Sequence, residues 1–138
     1  MSESTRHASC VAIHGQGVLL LGDSGSGKSD LALRLIDGGA ALVADDQVVI
    51  RHDSGRLLAA PPSTLAGKLE VRGVGIVDTP YVRDIPLALV VTLVGQTAVE
   101  RLPEPAFYAI EGVRLPQLLL NAFDASTPAK IRLYLQSL

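Results

Sequence analysis

Cysteine is nearly absent from this chain of 138 residues, which has Cys10 and no other. A single cysteine excludes an internal disulfide and a zinc site built from several cysteines. It also fits a reducing compartment. We expect Cys10 itself to be a small buried residue within a strand.

Long apolar runs and clusters of basic residues are missing as well. No stretch approaches the roughly 18 consecutive apolar residues of a membrane helix, and residues 1 to 7 lack the apolar core of a signal peptide. The net charge is −2 and the pI is near 5.8, so no basic field exists to attract a nucleic-acid backbone. We therefore expect a cytoplasmic protein whose partners include neither a membrane nor a nucleic acid.

The composition nevertheless supports a substantial core. Hydrophobic residues make up 48% of the chain, and a chain of this length suffices for one compact domain but not for two ordinary ones. Because no repeat, low-complexity tract or linker divides the sequence, we predict a single domain over residues 1 to 138.

The most informative feature that is present lies at residues 22 to 29. The segment G-D-S-G-S-G-K-S fits the phosphate-binding loop pattern G-x-x-x-x-G-K-[ST] at every fixed position. Glycines let successive backbone N–H groups converge on a phosphate, Lys28 adds charge for the β- and γ-phosphates, and the Ser29 hydroxyl is a magnesium ligand. The predicted ligand is a nucleoside triphosphate with Mg²⁺. Its candidate binding residues in the loop are Gly22, Asp23, Ser24, Gly25, Ser26, Gly27, Lys28 and Ser29.

The surroundings of this loop are typical of a strand, loop and helix unit in an α/β fold. Residues 9 to 14 and 17 to 21 read as two strands joined by a glycine turn. After the loop, Leu31, Leu35 and Ile36 recur at helical spacing. We predict a helix over residues 29 to 37, ended by two glycines that can adopt the left-handed C-terminal conformation.

The rest of the chain alternates short apolar runs with turns. Prolines at 103, 105 and 116 predict that the stretch around them is mostly irregular. A final helix is predicted to begin at Thr127, with proline at the first helical position, and to run towards Leu135. Further strands are predicted over residues 40 to 44, 47 to 51, 56 to 60, 68 to 72 and 87 to 94.

Two adjacent aspartates, Asp45 and Asp46, follow the predicted strand at 40 to 44. A carboxylate at the end of an apolar strand beside a phosphate loop is where such proteins hold the magnesium shell. Two carboxylates allow two roles, because one can organise magnesium and its waters while the other takes the proton from an attacking hydroxyl. Adjacent residues of a strand point to opposite sides, so both can face one site only if the backbone turns there.

A second charged pair, Glu70 and Arg72, has the same parity on the predicted strand at 68 to 72. Their side chains would therefore share one face. From the residues alone, two interpretations are open. The carboxylate and the guanidinium could form a surface ion pair, or they could face a triphosphate as a ligand and a charge stabiliser.

Three ordered motifs together resemble the catalytic domain of the HPr kinase/phosphorylase family. They are the phosphate loop, the segment L-V-A-D-D at 42 to 46, and L-E-V-R-G-V-G-I-V-D at 69 to 78. The last is close to the family signature L-E-I-R-G-[LIVM]-G-I-[IL]-[DN]. The resemblance implies an α/β fold: a single P-loop domain with a mixed sheet flanked by helices, similar to the core of phosphoenolpyruvate carboxykinase. Family members are commonly hexamers, and this chain resembles the short alpha-proteobacterial form without a separate N-terminal domain.

The resemblance also assigns roles to individual residues. Asp46 matches the proton acceptor of the kinase direction, and Glu70 matches the second magnesium ligand beside Ser29 and Asp45. His7 aligns with an active-site histidine and Arg101 with an active-site arginine.

The implied activity is transfer of the γ-phosphoryl group of ATP to a serine of HPr, the small phosphocarrier of the sugar phosphotransferase system. Family members can also run phosphorolysis, in which phosphate removes the seryl phosphate and pyrophosphate forms. Of the family stretch V-P-V-R-P-G-R-N, which is tied to phosphorolysis, only a fragment at 113 to 116 is present, so that activity stays open. The alternatives are a P-loop kinase of small molecules and an ATP-sensing regulator.

Overall fold

The computed structural model describes residues 3–138, which form eleven strands and two α-helices. The helices are α1 (Lys28–Asp37) and α2 (Thr127–Gln136), and 3₁₀ turns lie at Ser63–Leu65 and Gln96–Ala98. The strands are β1 (Glu3–His7), β2 (Ser9–Ile13), β3 (Gln16–Leu21), β4 (Ala41–Ala44), β5 (Gln47–Asp53), β6 (Arg56–Ala60), β7 (Lys68–Val71), β8 (Gly75–Asp78), β9 (Ile85–Leu93), β10 (Ala106–Ile110) and β11 (Val113–Leu120).

Nine of these strands form one mixed sheet, and β7 and β8 form a separate hairpin. The path through the large sheet is β1-β5-β6-β9-β3-β2-β4. Strand β9 lies at a branch, because its first residues pair with β6 while its later ones pair with β3 on one side and β11 on the other. Strand β11 pairs in turn with β10. The predicted α/β class with a mixed sheet is confirmed.

The two faces of the sheet are covered differently. Alternate residues of β2 and β3 enter two separate core clusters, as the two-residue period of a strand requires. The first cluster includes Leu31 and Leu35 of α1 and Ile131 and Leu135 of α2. The buried residues of the second come from strands and from Ala8. Both helices therefore pack on one face, and the curled sheet itself covers the other.

The helices begin and end close to where the sequence predicts. Helix α1 starts one residue earlier than expected, and the N–H of Gly38 bonds to the carbonyls of Arg34 and Leu35 at its end. Proline occupies the first turn of α2, where a missing N–H leaves no helical bond unmade.

The prediction of an irregular stretch around the three prolines holds at Pro103 and Pro105 but is wrong from Ala106 onwards. Strands β10 and β11 form an antiparallel pair there, with Pro116 opposite Phe107. Proline is tolerated because the parallel ladder between β11 and β9 begins only at Gln117, one residue later. Proline at that position therefore interrupts no bond to the central sheet.

Two further elements differ from the sequence expectation. Residues 3 to 7 are polar, yet they pair along β5 as strand β1 with alternating exposure. Strand β7 ends at Val71, so Arg72 belongs to the turn before β8 and the parity argument for Glu70 and Arg72 does not apply.

Cys10 is buried within β2, as expected. Burial raises the pKa of its thiol to about 12, so the thiol stays protonated at neutral pH. Within residues 3–138, no helix is long and apolar enough to cross a membrane.

Candidate functional site

Four strand ends meet at one edge of the large sheet. Strands β9 and β11 run parallel to β3, and β4 has the same direction because both β3 and β4 are antiparallel to β2. The carboxyl ends of these strands lead into the glycine-rich loop, the two aspartates and the segments after β9 and β11. Ligands of α/β sheets bind outside such carboxyl ends.

The glycine-rich loop turns directly into the N-terminus of α1. Gly25 and Gly27 have φ values of +82° and +96°, a region in which side chains are strained. Lys28 is buried, and its Nζ donates hydrogen bonds to the carbonyl oxygens of Gly22 at 2.7 Å and Asp23 at 3.1 Å. The helix N-cap is a glycine, so the first-turn N–H groups lack a side-chain partner there and point towards the loop. This is the geometry of an anion site.

Asp45 is buried and links three elements. Its Oδ1 accepts hydrogen bonds from Ser9 at 2.7 Å and from Ser29 at 2.8 Å, and its Oδ2 accepts one from the backbone N–H of Glu70 at 3.1 Å. One carboxylate therefore fixes the loop end, strand β2 and strand β7 relative to one another.

Asp46 is exposed, although it is the next residue. Its φ of +72° is left-handed, a conformation that aspartate and asparagine tolerate better than most residues. The Asp46 carbonyl accepts the N–H of Ala8, and the N–H of Gln47 donates to the Asp45 carbonyl at 2.9 Å. The backbone thus turns at this point. As a result the Asp46 carboxylate lies 3.4 Å from Nδ1 of His7 at the surface of the same cleft.

The cleft has a volume of about 380 Å³ and brings together most of the residues that the sequence singles out. Of the predicted site residues its lining contains His7, Ser24, Gly25, Gly27, Lys28, Ser29, Asp46, Glu70 and Arg72.

Five predicted residues are not part of this lining: Gly22, Asp23, Ser26, Asp45 and Arg101. Asp45 lies buried behind Ser29. The carbonyls of Gly22 and Asp23 accept the hydrogen bonds of Lys28. The Ser26 hydroxyl lies against Gly22, since a Cβ built at Gly22 would come within 2.5 Å of it. Arg101 is exposed after the second 3₁₀ turn, and the cleft lining does not include it. Its role stays a prediction.

The oxygen ligands present suit Mg²⁺. This ion takes one or two protein oxygens and fills its remaining positions with waters and phosphate oxygens. Ser29 donates its proton to Asp45, so the lone pairs of its hydroxyl remain available, and the Glu70 carboxylate is exposed to the cleft. Among residues 3–138 no group of three or more His, Cys, Asp and Glu side chains could hold a metal.

Five residues of the cleft lining were not predicted as site residues: Ser9, Asp30, Leu33, Val71 and Phe123. Ser9 and Phe123 bear most on the site. Ser9 begins β2, and its bond to Asp45 spans 36 positions of the chain, a distance at which no local pattern gives a signal. Phe123 follows β11, in the stretch that the prolines obscured. The apolar run at 118 to 120 was the available signal, because a strand ending there would bring the next residues to the same edge.

Taken together, these elements define a mixed α/β protein in which a glycine-rich anion loop and two separately placed aspartates share one cleft. The sequence matches the family described as HPr Serine kinase C-terminal domain over residues 1–120, and the chain belongs to that family. The resemblance inferred from the three motifs is confirmed.

Individual relatives agree with this assignment. The HPr kinase/phosphorylase of Clostridium tetani is 42% identical over 93 residues, covering 67% of this chain and 30% of the relative. That of Caldicellulosiruptor bescii is 48% identical over 75 residues, covering 54% and 24%. The structure of the Hpr(Ser) kinase/phosphatase from Coxiella burnetii superposes with a TM-score of 0.86 at 28% identity, covering 97% of this chain and 89% of that one. This chain thus spans less than a third of the curated relatives' length but most of the solved one.

Proposed function

We propose that this chain is an ATP-dependent protein-serine kinase whose acceptor is an HPr-type phosphocarrier protein. Family membership and the names of the relatives support the proposal. The single observation that carries it is that the two adjacent aspartates occupy different positions in the site. Asp45 is buried against Ser29, while Asp46 is exposed in the cleft beside His7. A site that only bound and sensed a nucleotide would not need the second carboxylate.

The residues of the chain account for each part of the transfer. The first-turn N–H groups of α1 and the Lys28 ammonium neutralise the phosphates of ATP. Mg²⁺ bound at Ser29 and Glu70, with Asp45 beside Ser29 organising the ion and its waters, would neutralise further charge as the γ-phosphoryl group moves. The Asp46 carboxylate accepts the proton of the serine hydroxyl as the serine Oγ–P bond forms. The bond between the γ-phosphorus and the bridging oxygen to the β-phosphate breaks, and ADP leaves.

A protein acceptor fits the surface beside the cleft. Val74 lies in the turn between β7 and β8, beside Arg72, and Ile76 lies in β8; their exposures are 72% and 73%. A Cβ built at either Gly73 or Gly75 meets nothing within 4 Å, so this turn stands in open space. Exposed apolar groups next to a reactive site are typical of a docking surface for a macromolecule. A kinase of small molecules would instead need to enclose its acceptor.

Transfer to a serine is tested by mixing the purified chain with Mg-ATP and an HPr-type protein. We expect mass spectrometry to show one added phosphate on a serine of the acceptor. An acceptor in which that serine is replaced by alanine provides the matched control. If the acceptor stays unmodified while ATP still binds to the chain, the kinase proposal is wrong, and the regulator or the small-molecule kinase becomes the better interpretation.

Lys28→Ala is expected to weaken nucleotide binding. The variant loses an ammonium group whose charge-assisted hydrogen bonds are each worth about 1.5–3 kcal/mol, which corresponds to roughly 10- to 150-fold in Kd. Calorimetric titration with ADP measures the effect. Lys130→Ala is the matched control, because Lys130 is an exposed lysine of α2 outside the cleft. Equal affinities of the Lys28 variant and the wild-type chain for ADP would show that Lys28 does not contribute to phosphate binding.

Phosphorolysis is a second proposed activity, since the relatives' names include phosphorylase. Inorganic phosphate would attack the seryl phosphate, the P–Oγ bond would break, and pyrophosphate would leave as the serine regains its proton. Supplying phosphorylated acceptor with inorganic phosphate and measuring pyrophosphate tests it. Release of phosphate in place of pyrophosphate would indicate simple hydrolysis.

A further inference from the structure

Phe123 presents an aromatic ring to the cleft with no part in the chemistry described above. Its exposure is 65%, which is high for a large apolar side chain. The ring is also in direct reach of the glycine-rich loop, since a Cβ built at Gly27 would lie 3.0 Å from Cζ of Phe123. It therefore forms an open apolar wall beside the phosphate site.

The backbone that carries this ring is held firmly from below. The Arg34 guanidinium of α1 donates to the carbonyls of Ala122 and Asp124. The side chain of Asn121 accepts the N–H of Phe123 at 2.8 Å and donates to the carbonyl of Val94. An exposed ring on a fixed backbone gives a preformed contact surface, because little conformational entropy is lost when a partner binds.

The strand order shows which part of a nucleotide would lie next to Phe123. The loop follows β3 at the middle of the sheet edge. Asp46 follows β4, two strands away on one side, and Phe123 follows β11, two strands away on the other. If the γ-phosphate is delivered on the Asp46 side, the nucleoside must extend towards the β11 side.

We propose that the Phe123 ring stacks on the base of the bound nucleotide. The inference deepens the proposed function, because it takes the γ-phosphate to lie at Asp46. Stacking between a base and an aromatic ring tolerates any base, so Phe123 contributes affinity without selecting the base. The loop and Lys28 would hold the phosphates, and Phe123 would hold the other end of the same molecule.

Phe123→Ala tests the proposal with two probes, ATP and inorganic tripolyphosphate, which has no base. Loss of one stacking contact is expected to weaken ATP binding roughly 5- to 150-fold, whereas the affinity for tripolyphosphate stays at the wild-type value. Phe107→Ala is the matched control. Phe107 is another exposed phenylalanine, outside the cleft and packed under the Arg114 guanidinium. It should change neither affinity.

Phe123→Trp gives an independent readout, because the chain contains no tryptophan. The indole would be the sole tryptophan and would keep an aromatic face at the same position. We expect its fluorescence to be quenched by ATP and ADP but not by tripolyphosphate, and nucleotide affinity to be retained or increased.

Two results would overturn the proposal. Equal weakening of ATP and tripolyphosphate in Phe123→Ala would mean that the ring supports the loop. Unchanged ATP affinity with a raised KM for the acceptor protein would mean that the ring contacts the acceptor. Both binding experiments omit the acceptor, so a failure of serine transfer overturns the proposed function separately.

Discussion

Asp46→Asn is expected to abolish measurable phosphoryl transfer while leaving nucleotide affinity unchanged. A positioned general base typically contributes about 10²- to 10⁴-fold to a rate, and asparagine cannot take the proton of a serine hydroxyl. The carboxylate itself is 65% exposed and lies away from the bonds that anchor the loop. Its loss should therefore appear in kcat and not in the Kd of the nucleotide.

The choice of asparagine keeps the experiment interpretable. Position 46 has a φ of +72°, and asparagine adopts the left-handed region as readily as aspartate, so the turn should be preserved. Asp84→Asn is the matched control, because Asp84 also has a positive φ, +57°, and lies outside the cleft around Asp46. Transfer to the acceptor is followed by mass spectrometry and ADP binding by calorimetry. A rise in Kd as large as the fall in kcat would show that Asp46 acts as a metal ligand.

Local features of this fold could be predicted from the sequence. The helix after the glycine-rich loop is specified by its own residues, since Leu31 and Leu35 recur on one side and the glycines at 38 and 39 end it. The final helix likewise carries its start signal at Thr127 and Pro128. Such patterns involve neighbours within a few residues, so tertiary contacts do not have to be known.

Features that depend on distant partners could not be predicted. Strand β1 is polar and forms because it pairs with β5. Its residue Glu3, for example, lies opposite Arg51, more than forty positions along the chain. Pro116 indicates against a strand when the sequence is considered alone. The strand forms nevertheless, because the ladder between β11 and β9 begins at the next residue. In both cases the pairing partner, not the local propensity, decides the conformation.

The candidate site likewise has residues that the sequence could predict and others that depend on distant contacts. The loop residues could be named from their pattern, and the pair at 45 and 46 from its place after a strand. Which aspartate is buried could not be inferred, because it depends on the donors of Ser9 and Glu70 reaching Asp45 from other strands. Phe123 was missed because its position relative to Gly27 depends on β11 pairing with β9, and the sequence analysis did not predict β11.

Asp45→Asn is the same chemical change one residue earlier, but it should lower the stability of the fold, which Asp46→Asn should leave nearly unchanged. Both Asp45 oxygens accept hydrogen bonds from protein donors, so an amide NH₂ at either position faces a donor. Hydrogen bonds to a charged group contribute about 1.5–3 kcal/mol each, and a buried donor left unpaired adds its own penalty. We expect the free energy of unfolding to fall by about 2–4 kcal/mol, a large share of the 5–15 kcal/mol typical of a domain.

Urea unfolding of the two asparagine variants side by side measures this difference, with no acceptor or nucleotide present. The Asp46 variant should stay within about 0.5 kcal/mol of the wild-type chain, as surface substitutions usually do. In the Asp45 variant, the Glu70 N–H loses its acceptor, so hydrogen exchange at β7 should speed up more than at β3. Equal unfolding midpoints for the two variants would show that Asp45 does not hold the loop to the sheet. The stability of the site would then have to come from the hydrophobic cluster in which Leu31 and Leu35 of α1 are buried.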